Sequence, residues 1–310
     1  GSKSFAMLLH TFSVSGVETS LWIPPLVAFV VSFFTSMAGV SGAFVLLPFQ
    51  MSVLGFTSPS VSPTNLVFNV VAIPSGVWRF VRERRMVWPL TWVVVAGTLP
   101  GVIAGGFVRL HWLPDPTPFK AFVGGVLLFI GARLAKDVTR FSGASPKARS
   151  TAEPFVVQEQ TWTWRKIVIR FQGKEHACST PGVFSLSVVV GMVGGVYGIG
   201  GGALLAPFFV TLYQLPVHTV AGATLMGTFV TSVVGVVFYQ LIAPCYGQMS
   251  VAPDWLLGGL FGVGGVFGMY FGARAQRFIP ERWIKGGLAV LLAALAFRYL
   301  HDWAAKLMGG

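Results

Sequence analysis

Long uncharged apolar runs, separated by short polar joints, set the pattern of this chain. Leu21 to Leu54 is the first run, interrupted at Ala38–Ala43, and its length predicts two half-helices meeting at the interruption. Ser58 to Phe80 is the second, with Pro63 near its start and Pro74 within it. Its polar residues Ser62, Asn65 and Asn69 fall at i, i+3 and i+7, so one helix face carries all three. Val87 to Val108 is the third, where Gly97, Gly101 and Gly105 recur every four residues, a spacing that lets membrane helices approach closely. Phe119 to Leu134 is the fourth, with Gly124-Gly125. A second series follows: Val183–Tyr213, Pro216–Ile242, Ala252–Ala273 and Trp283–Leu300. Its third run carries Gly264, Gly268 and Gly272, and its fourth opens on Gly286-Gly287.

The first run of each series is broken by glycine. Gly191 to Pro207 reads GMVGGVYGIGGGALLAP, with seven glycines between 191 and 202. Each costs about 1 kcal/mol relative to Ala in a helix, so an uninterrupted helix is excluded. In lipid, broken backbone is tolerated only where protein or a water-filled cavity satisfies its polar groups. The helix that restarts beyond the break offers free N–H groups and a positive dipole end to an anion. Met37–Phe49 (MAGVSGAFVLLPF) lies over Val196–Phe208 (VYGIGGGALLAPF) without a gap, pairing Gly39 with Gly198, Gly42 with Gly201 and Pro48 with Pro207. The offset of 198 − 39 = 159 persists at Leu66/Leu225 and Gly76/Gly235, so the chain reads as two copies of one unit. It also sets Asn65 on Thr224 and Asn69 on Thr228, and Thr224, Thr228 and Thr231 again share a face.

Lys136 to Pro181 is the long polar stretch between the copies. SGASPKARST reads as a flexible link. PFVVQEQ and TWTWRKIVIRF alternate like paired strands, with a turn starting at Gly173, which predicts a small β-hairpin. About 45 residues are too few for an independent catalytic core. The division expected is an interfacial segment at 3–20, one copy at 21–135, the central loop at 136–182 and the second copy at 183–304. Gly1-Ser2 reads as an expression scar, and insertion falls to the first span.

Composition places these runs in a membrane. Hydrophobic residues make up 54%, charged residues 10%, and mean hydropathy is +0.72, the profile of a multi-pass protein of the cell membrane with the lipid bilayer as its solvent. The net charge of +12 lies in joints between spans, which is the pattern of cytoplasmic loops and not of a nucleic-acid surface. The joint after the second run is basic in the first copy (Arg79, Arg82, Arg84, Arg85), and its counterpart Ala243–Pro253 has no basic residue. The joint after the third run reverses this, with Arg109 and Lys120 against Arg274, Arg277, Arg282 and Lys285. Positive joints stay inside, so the copies are expected upside down relative to each other, with the β-hairpin cytoplasmic. An all-α polytopic fold of two inverted repeats follows, each of four hydrophobic segments, the first being re-entrant; eight full spans is the alternative. Cys178 and Cys245 then fall on opposite sides and are expected as free thiols.

AGVSGAFVLLP at Ala38–Pro48, GGVYGIGGGALLAP at Gly194–Pro207 and the basic joint Arg79–Arg85 resemble the sulfite exporter TauE/SafE family of membrane transport proteins. Ser41 and Ala43 depart from the family's glycine run, where the second copy has Gly200 and Gly202. The resemblance implies export or exchange of sulfur-containing oxyanions such as sulfite or small organosulfonates such as sulfoacetate. Composition and spacing alone define a transporter-like protein for a small anionic substrate. The expected site comprises Ser41, Gly42, Ala43 and Phe44, then Gly200, Gly201, Gly202 and Ala203, with Asn65, Asn69, Thr224 and Thr228 alongside. No catalytic residue, metal ligand or cofactor is expected, and a homodimer is left open. GIGGGA at Gly198–Ala203 lacks the βαβ context of a dinucleotide site, and His218 reads as structural.

Leu21–Trp78, Met86–Val108 and Val183–Pro253 contain no Asp, Glu, Lys or Arg, so no intramembrane carboxylate relay is visible. Export does not require one. A divalent anion leaving a cell at about −100 mV gains about 4.6 kcal/mol. A channel-like anion conductor or an importer on the same scaffold are the alternatives, and a membrane enzyme is disfavoured.

Overall fold

The computed structural model describes residues 9–141, 159–171, 174–215, 217–275 and 281–308. A hairpin of β1 (Leu9–Thr11) and β2 (Glu18–Ser20) precedes α1 (Ile23–Ala38) and α2 (Ala43–Ser52), the two arms of the first broken run. α3 (Val61–Ala72), α4 (Pro74–Arg82), α5 (Trp88–His111) and α6 (Pro116–Phe141) complete the first half. β3 (Glu159–Trp162), β4 (Lys166–Phe171) and β5 (Lys174–Ser179) form an antiparallel sheet in that order. α7 (Thr180–Tyr197), α8 (Leu205–Leu212), α9 (Val217–Ile242), a 3-10 turn at Ala243–Tyr246, α10 (Trp255–Ala275) and α11 (Glu281–Met308) follow. Among the described residues six helices are long and apolar enough to cross a membrane: α5, α6, α7, α9, α10 and α11. Their outward side chains are apolar, among them Phe107, Phe129, Val237, Phe267, Val290 and Phe297, as lipid demands.

Local chemistry sets the ends. Pro24-Pro25 opens α1, where missing N–H groups cost nothing. Gly39 closes it in the left-handed region (φ 73°), its N–H donating to Ser36 O while Val40 donates to Thr35 O. α7 closes the same way at Gly198 (φ 86°), with Ile199 donating to Gly194 O. α3 and α4 meet at Ile73, because Pro74 has no N–H to continue the ladder. α9, with Val233 at the equivalent position, runs through unbroken.

Glycine ladders fix the helix pairs. Gly97, Gly101 and Gly105 of α5 face the backbone of Phe184, Val188 and Met192 in α7. Gly264, Gly268 and Gly272 of α10 face Pro25, Phe29 and Phe33 in α1. These targets are counterparts at the 159 offset (25/184, 29/188, 33/192). A Cβ at Gly101 would sit 2.9 Å from Met192 N, and one at Gly268 would sit 2.9 Å from Ser32 Cβ, so the backbones touch only because side chains are missing.

The order of these contacts gives directions. α5 runs parallel to α7, and also to α9, through Gly227 on Val94 and Gly235 on Val102. α10 runs parallel to α1, and also to α3, through Gly258 on Val67 and Gly262 on Val71. α1 and α3 therefore point the same way, so the chain between them must come back; the same holds for α7 and α9. α3 and α4 together lie antiparallel to α9, with Gly76 of α4 on Leu225 and Leu66 of α3 on Gly235, each contact the counterpart of the other. α6 and α11 are also antiparallel, with Gly124 near Leu300 and Gly131 near Leu292.

Each broken run forms two helices that meet at its break, with arms of 16 and 10 residues in the first and of 18 and 8 in the second. At 1.5 Å per residue the first arms reach about 24 and 27 Å, past the middle of a hydrocarbon core of about 30 Å. The central hairpin has a third strand, β5, because Lys174–Ser179 pairs with β4 before α7 starts. Ile167, Ile169 and Cys178 are buried, so one face of that sheet packs inward. Arg79 and Arg82 belong to the last turn of α4, where cations suit the carbonyl end, and only the residues beyond are loop. Arg109 is not a joint residue either: it lies in the last turn of α5, fully buried. The link SGASPKARST, the residues before Glu159, Gly173, Arg277 and the His218 side chain lie outside the described residues.

Candidate functional site

The two breaks meet. Tyr197, the last residue of α7, donates its hydroxyl to Phe44 O at 2.8 Å, and the Phe44 and Tyr197 rings pack edge to face at 5.9 Å. Asn65 of α3 donates to Ala43 O at 3.1 Å and to Gly198 O at 3.0 Å, so one carboxamide ties both breaks together. Its oxygen accepts from Gln50 Nε2 at 3.2 Å. One turn deeper, Asn69 donates to Ile199 O at 2.9 Å and to Ser232 Oγ at 3.3 Å, while its own oxygen has no partner among the described residues. Ser62, at the other end of this face, donates to Val196 O at 3.0 Å. Ser62, Asn65 and Asn69 are wholly inaccessible.

The second break is the more deeply packed. Gly198, Ile199, Gly200, Gly201 and Gly202 are all buried, and Gly201 lies against Thr98 near the middle of α5. Gly201 N donates to Thr231 Oγ1 at 2.9 Å. Gly200 and Gly202 sit on α9, where a Cβ on Gly202 would come 2.6 Å from Thr228 N. Ala203 is half-buried. In the first break Gly42 packs against Ser32, Thr35 and Phe68, Ser41 is half-buried, and Ala43 and Phe44 are buried.

Donors without acceptors distinguish the place. The backbone N–H groups of Ser41 and Gly42 in one break, and of Gly200 and Gly202 in the other, donate to no acceptor among the described residues. Buried orphan N–H groups are rare in native proteins. The side chains behave differently. Thr224 and Thr228 are buried beside the break, but their hydroxyls donate to carbonyls of their own helix, at 3.2 and 2.8 Å. Asn65 has both N–H bonds committed. The free donors here are the backbone N–H groups and the Ser32 hydroxyl, while Asn65, Asn69 and Thr231 hold the breaks in shape.

Eight of the twelve residues expected at the site make up the breaks themselves, with Ser41 and Ala203 half-buried, and Asn65, Asn69, Thr224 and Thr228 are buried against them. Four contributors escaped the sequence reading: Tyr197, Gln50, Ser232 and Ser32, whose buried hydroxyl has no partner among the described residues. Ser232 follows Thr231 on α9 and was within reach of the face argument. Tyr197 and Gln50 carry no spacing signal that separates them from ordinary core residues. Among the described residues no group of His, Cys, Asp or Glu has the arrangement of a metal site.

A broken-helix site inside a bundle of membrane-length helices defines a multi-pass membrane protein of transporter type. The family model for the sulfite exporter TauE/SafE matches residues 25–299, and the chain belongs to that family. It is similar to probable membrane transporter protein y4hK of Sinorhizobium fredii, 23% identical over 88% of this chain and 95% of that protein. It is also similar to probable membrane transporter protein YunE of Bacillus subtilis, 21% identical over 86% of this chain and 92% of that protein. No solved structure matches.

Proposed function

We propose that this chain is a secondary transporter that exports a small sulfur-containing oxyanion, sulfite or a short organosulfonate such as sulfoacetate, by alternating access between inverted repeats. The observation that carries the reading is the set of unpartnered N–H groups at Ser41, Gly42, Gly200 and Gly202, in two breaks that touch and lie in spans without carboxylates. An oxyanion offers several acceptors and no strong donor, which suits such a site. The family's printed description as a sulfite exporter supports the substrate class. The antiparallel setting of α3–α4 and α9, with reciprocal contacts of Gly76 and Gly235, supports inversion. A site whose asparagines have no solvent access suits an occluded state of a transporter better than an open conducting pore.

Counterflow of labelled sulfite or sulfoacetate in proteoliposomes tests the function. Saturable exchange is expected, and conductance at single-channel rates would instead establish the channel. The topology has its own check in the native thiols. Cys245 is exposed in the segment after α9, whereas Cys178 is buried in β5 with its thiol pushed up by burial to about 11, so its thiolate is scarce near pH 7.5. An impermeant maleimide applied to intact cells should label Cys245; exclusive labelling after lysis would reverse or remove the assigned orientation.

A further inference from the structure

Arg109 is the one charged residue of α5's buried face, and its setting is unusual. The side chain is wholly inaccessible, its Nε donates to Ser62 Oγ at 3.4 Å, and Nη1 donates to Leu113 O. The guanidinium carbon lies over the Phe119 ring, 3.7 Å from its centroid. Nη2 has no acceptor among the described residues, and no Asp or Glu pairs with the cation. A buried charge held only by neutral groups is costly, because nothing offsets the water it has lost.

A second orphan lies beside it. The Tyr239 hydroxyl on α9 is buried without a partner among the described residues, and Tyr239 shares a buried cluster with Leu110, the residue that follows Arg109. Its cluster is apolar at the core, with Leu66, Val67, Leu110, Val236 and Val251, and the Tyr246 hydroxyl packed against that cluster is engaged with His111 Nε2. α9 reaches Arg109 because its Phe238 packs on Gly106 and Phe107. Two neighbouring buried donors thus lack an acceptor, and one of them carries a positive charge.

The position connects them to the breaks. Ser62 touches Arg109, and it begins the α3 face that continues through Asn65 to Asn69, a climb of about 10 Å along the helix. Ser62 also packs against Gly198 and holds Val196 O, at the end of α7.

We propose that Arg109 and Tyr239 form a second anion subsite, where the translocated oxyanion pauses between the broken segments and the outer surface. An oxyanion there accepts from Arg109 Nη2 and Tyr239 Oη at once and supplies the missing counter-charge. This subsite rests on the transport reading above, since that reading names the anion and makes the α5 end of the path its exit.

The test uses the whole chain in detergent, titrated calorimetrically with sulfite, sulfate, thiosulfate and sulfoacetate, with ligand-free thermal stability recorded alongside. Arg109→Gln should weaken the best of these ligands about tenfold or more, and Tyr239→Phe about threefold, the range for hydrogen bonds to a charged group. Arg109→Lys, which keeps the charge but loses the planar fork that bonds Ser62 and Leu113, should fall between the parent and Arg109→Gln. Without ligand, Arg109→Gln should be at least as stable as the parent, because an uncompensated buried charge has gone. Lower ligand-free stability with unchanged affinity in Arg109→Gln and Tyr239→Phe overturns the subsite and leaves a structural arginine. Asn65→Ala separates the two readings. If it loses affinity while the Arg109 and Tyr239 variants do not, the breaks remain the site and the subsite is removed. If only Arg109→Gln and Tyr239→Phe lose affinity, the subsite stands and the breaks do not bind the ligand. A parent that binds none of the four anions overturns both.

Discussion

Gly39 and Gly198 end equivalent helices with the same left-handed turn, yet they are glycine for different reasons. Around Gly39 an added Cβ would meet nothing within 4 Å, so only the φ of 73° asks for glycine. At Gly198 the φ of 86° is joined by close backbone contact: a Cβ would lie 2.7 Å from Ser62 Cα and 2.8 Å from its carbonyl carbon. The difference extends along both breaks. Gly200 has φ 79° and packs on Thr228 and Ser232, and Gly202 packs on the α9 backbone. Their counterparts Ser41 and Ala43 have side chains, and neither has a positive φ. The first break is a turn near the surface of the bundle, and the second is backbone threaded between helices. The unequal glycine runs of the two breaks record that difference in packing.

The largest expected effect follows directly. Gly198→Ala combines a disfavoured backbone with a collision that no side-chain rotation relieves, and should cost about 3 kcal/mol or more. Gly39→Ala should cost only about 1 kcal/mol, from backbone strain alone. Apparent melting temperatures of the two purified variants, with yield after size exclusion, make the comparison. Equal losses would show that the threaded packing of Gly198 adds nothing to the demand on its φ.

Asn65 and Thr224 provide the next contrast, since they occupy equivalent positions with different duties. Asn65 joins both breaks and Gln50, whereas Thr224 bonds only its own helix. Asn65→Ala should cost about 2–3 kcal/mol of stability, because the carbonyls of Ala43 and Gly198 and the Gln50 amide all lose a partner. Thr224→Ala should cost under about 1 kcal/mol, since the i−4 bond it gives up contributes little to a helix. Asn65→Ala should also weaken anion binding by about 1–2 kcal/mol if the breaks hold the anion, because their shape depends on it, and Thr224→Ala should weaken it less. Thermal unfolding and calorimetric titration of each variant separate the clamp from the site.

Much of this was legible in the chain. The 159-residue offset, the two glycine breaks, the ladders at Gly97–Gly105 and Gly264–Gly272, and the polar face Ser62–Asn65–Asn69 all follow from spacing, which backbone periodicity fixes. Partners did not follow. Asn65 turns toward carbonyls because the breaks expose them there, and no one-dimensional pattern says which orphan a carboxamide will meet. Arg109 shows the limit most clearly. A cation near the end of an apolar run reads alike whether it snorkels to the interface or folds back under a helix. Only the placement of Phe119, Ser62 and Leu113 around it decides. β5 was missed because KEHACS has no clean alternation and depends on pairing with β4.

The smallest expected effect is also the sharpest test of the asymmetry. Ser41 stands where the second break has Gly200, and its hydroxyl accepts a long bond of 3.3 Å from Ala43 N. Its backbone is not left-handed, so glycine relieves nothing there. Ser41→Gly should therefore lower stability by about 0.5–1 kcal/mol, through the lost local bond and the freer unfolded chain. The N–H that Ser41 offers is unchanged by the substitution, so anion affinity should stay within about twofold. Gly200→Ser, the reciprocal exchange, places a side chain at φ 79° with its Cβ 2.7 Å from Ser232 Oγ and 2.9 Å from the Thr228 carbonyl, and should cost about 2–3 kcal/mol, less than Gly198→Ala. Stability and affinity measured on both exchanges decide the matter. If Gly200→Ser is as mild as Ser41→Gly, the second break is a surface turn like the first, and the account of its glycines as a packing requirement fails.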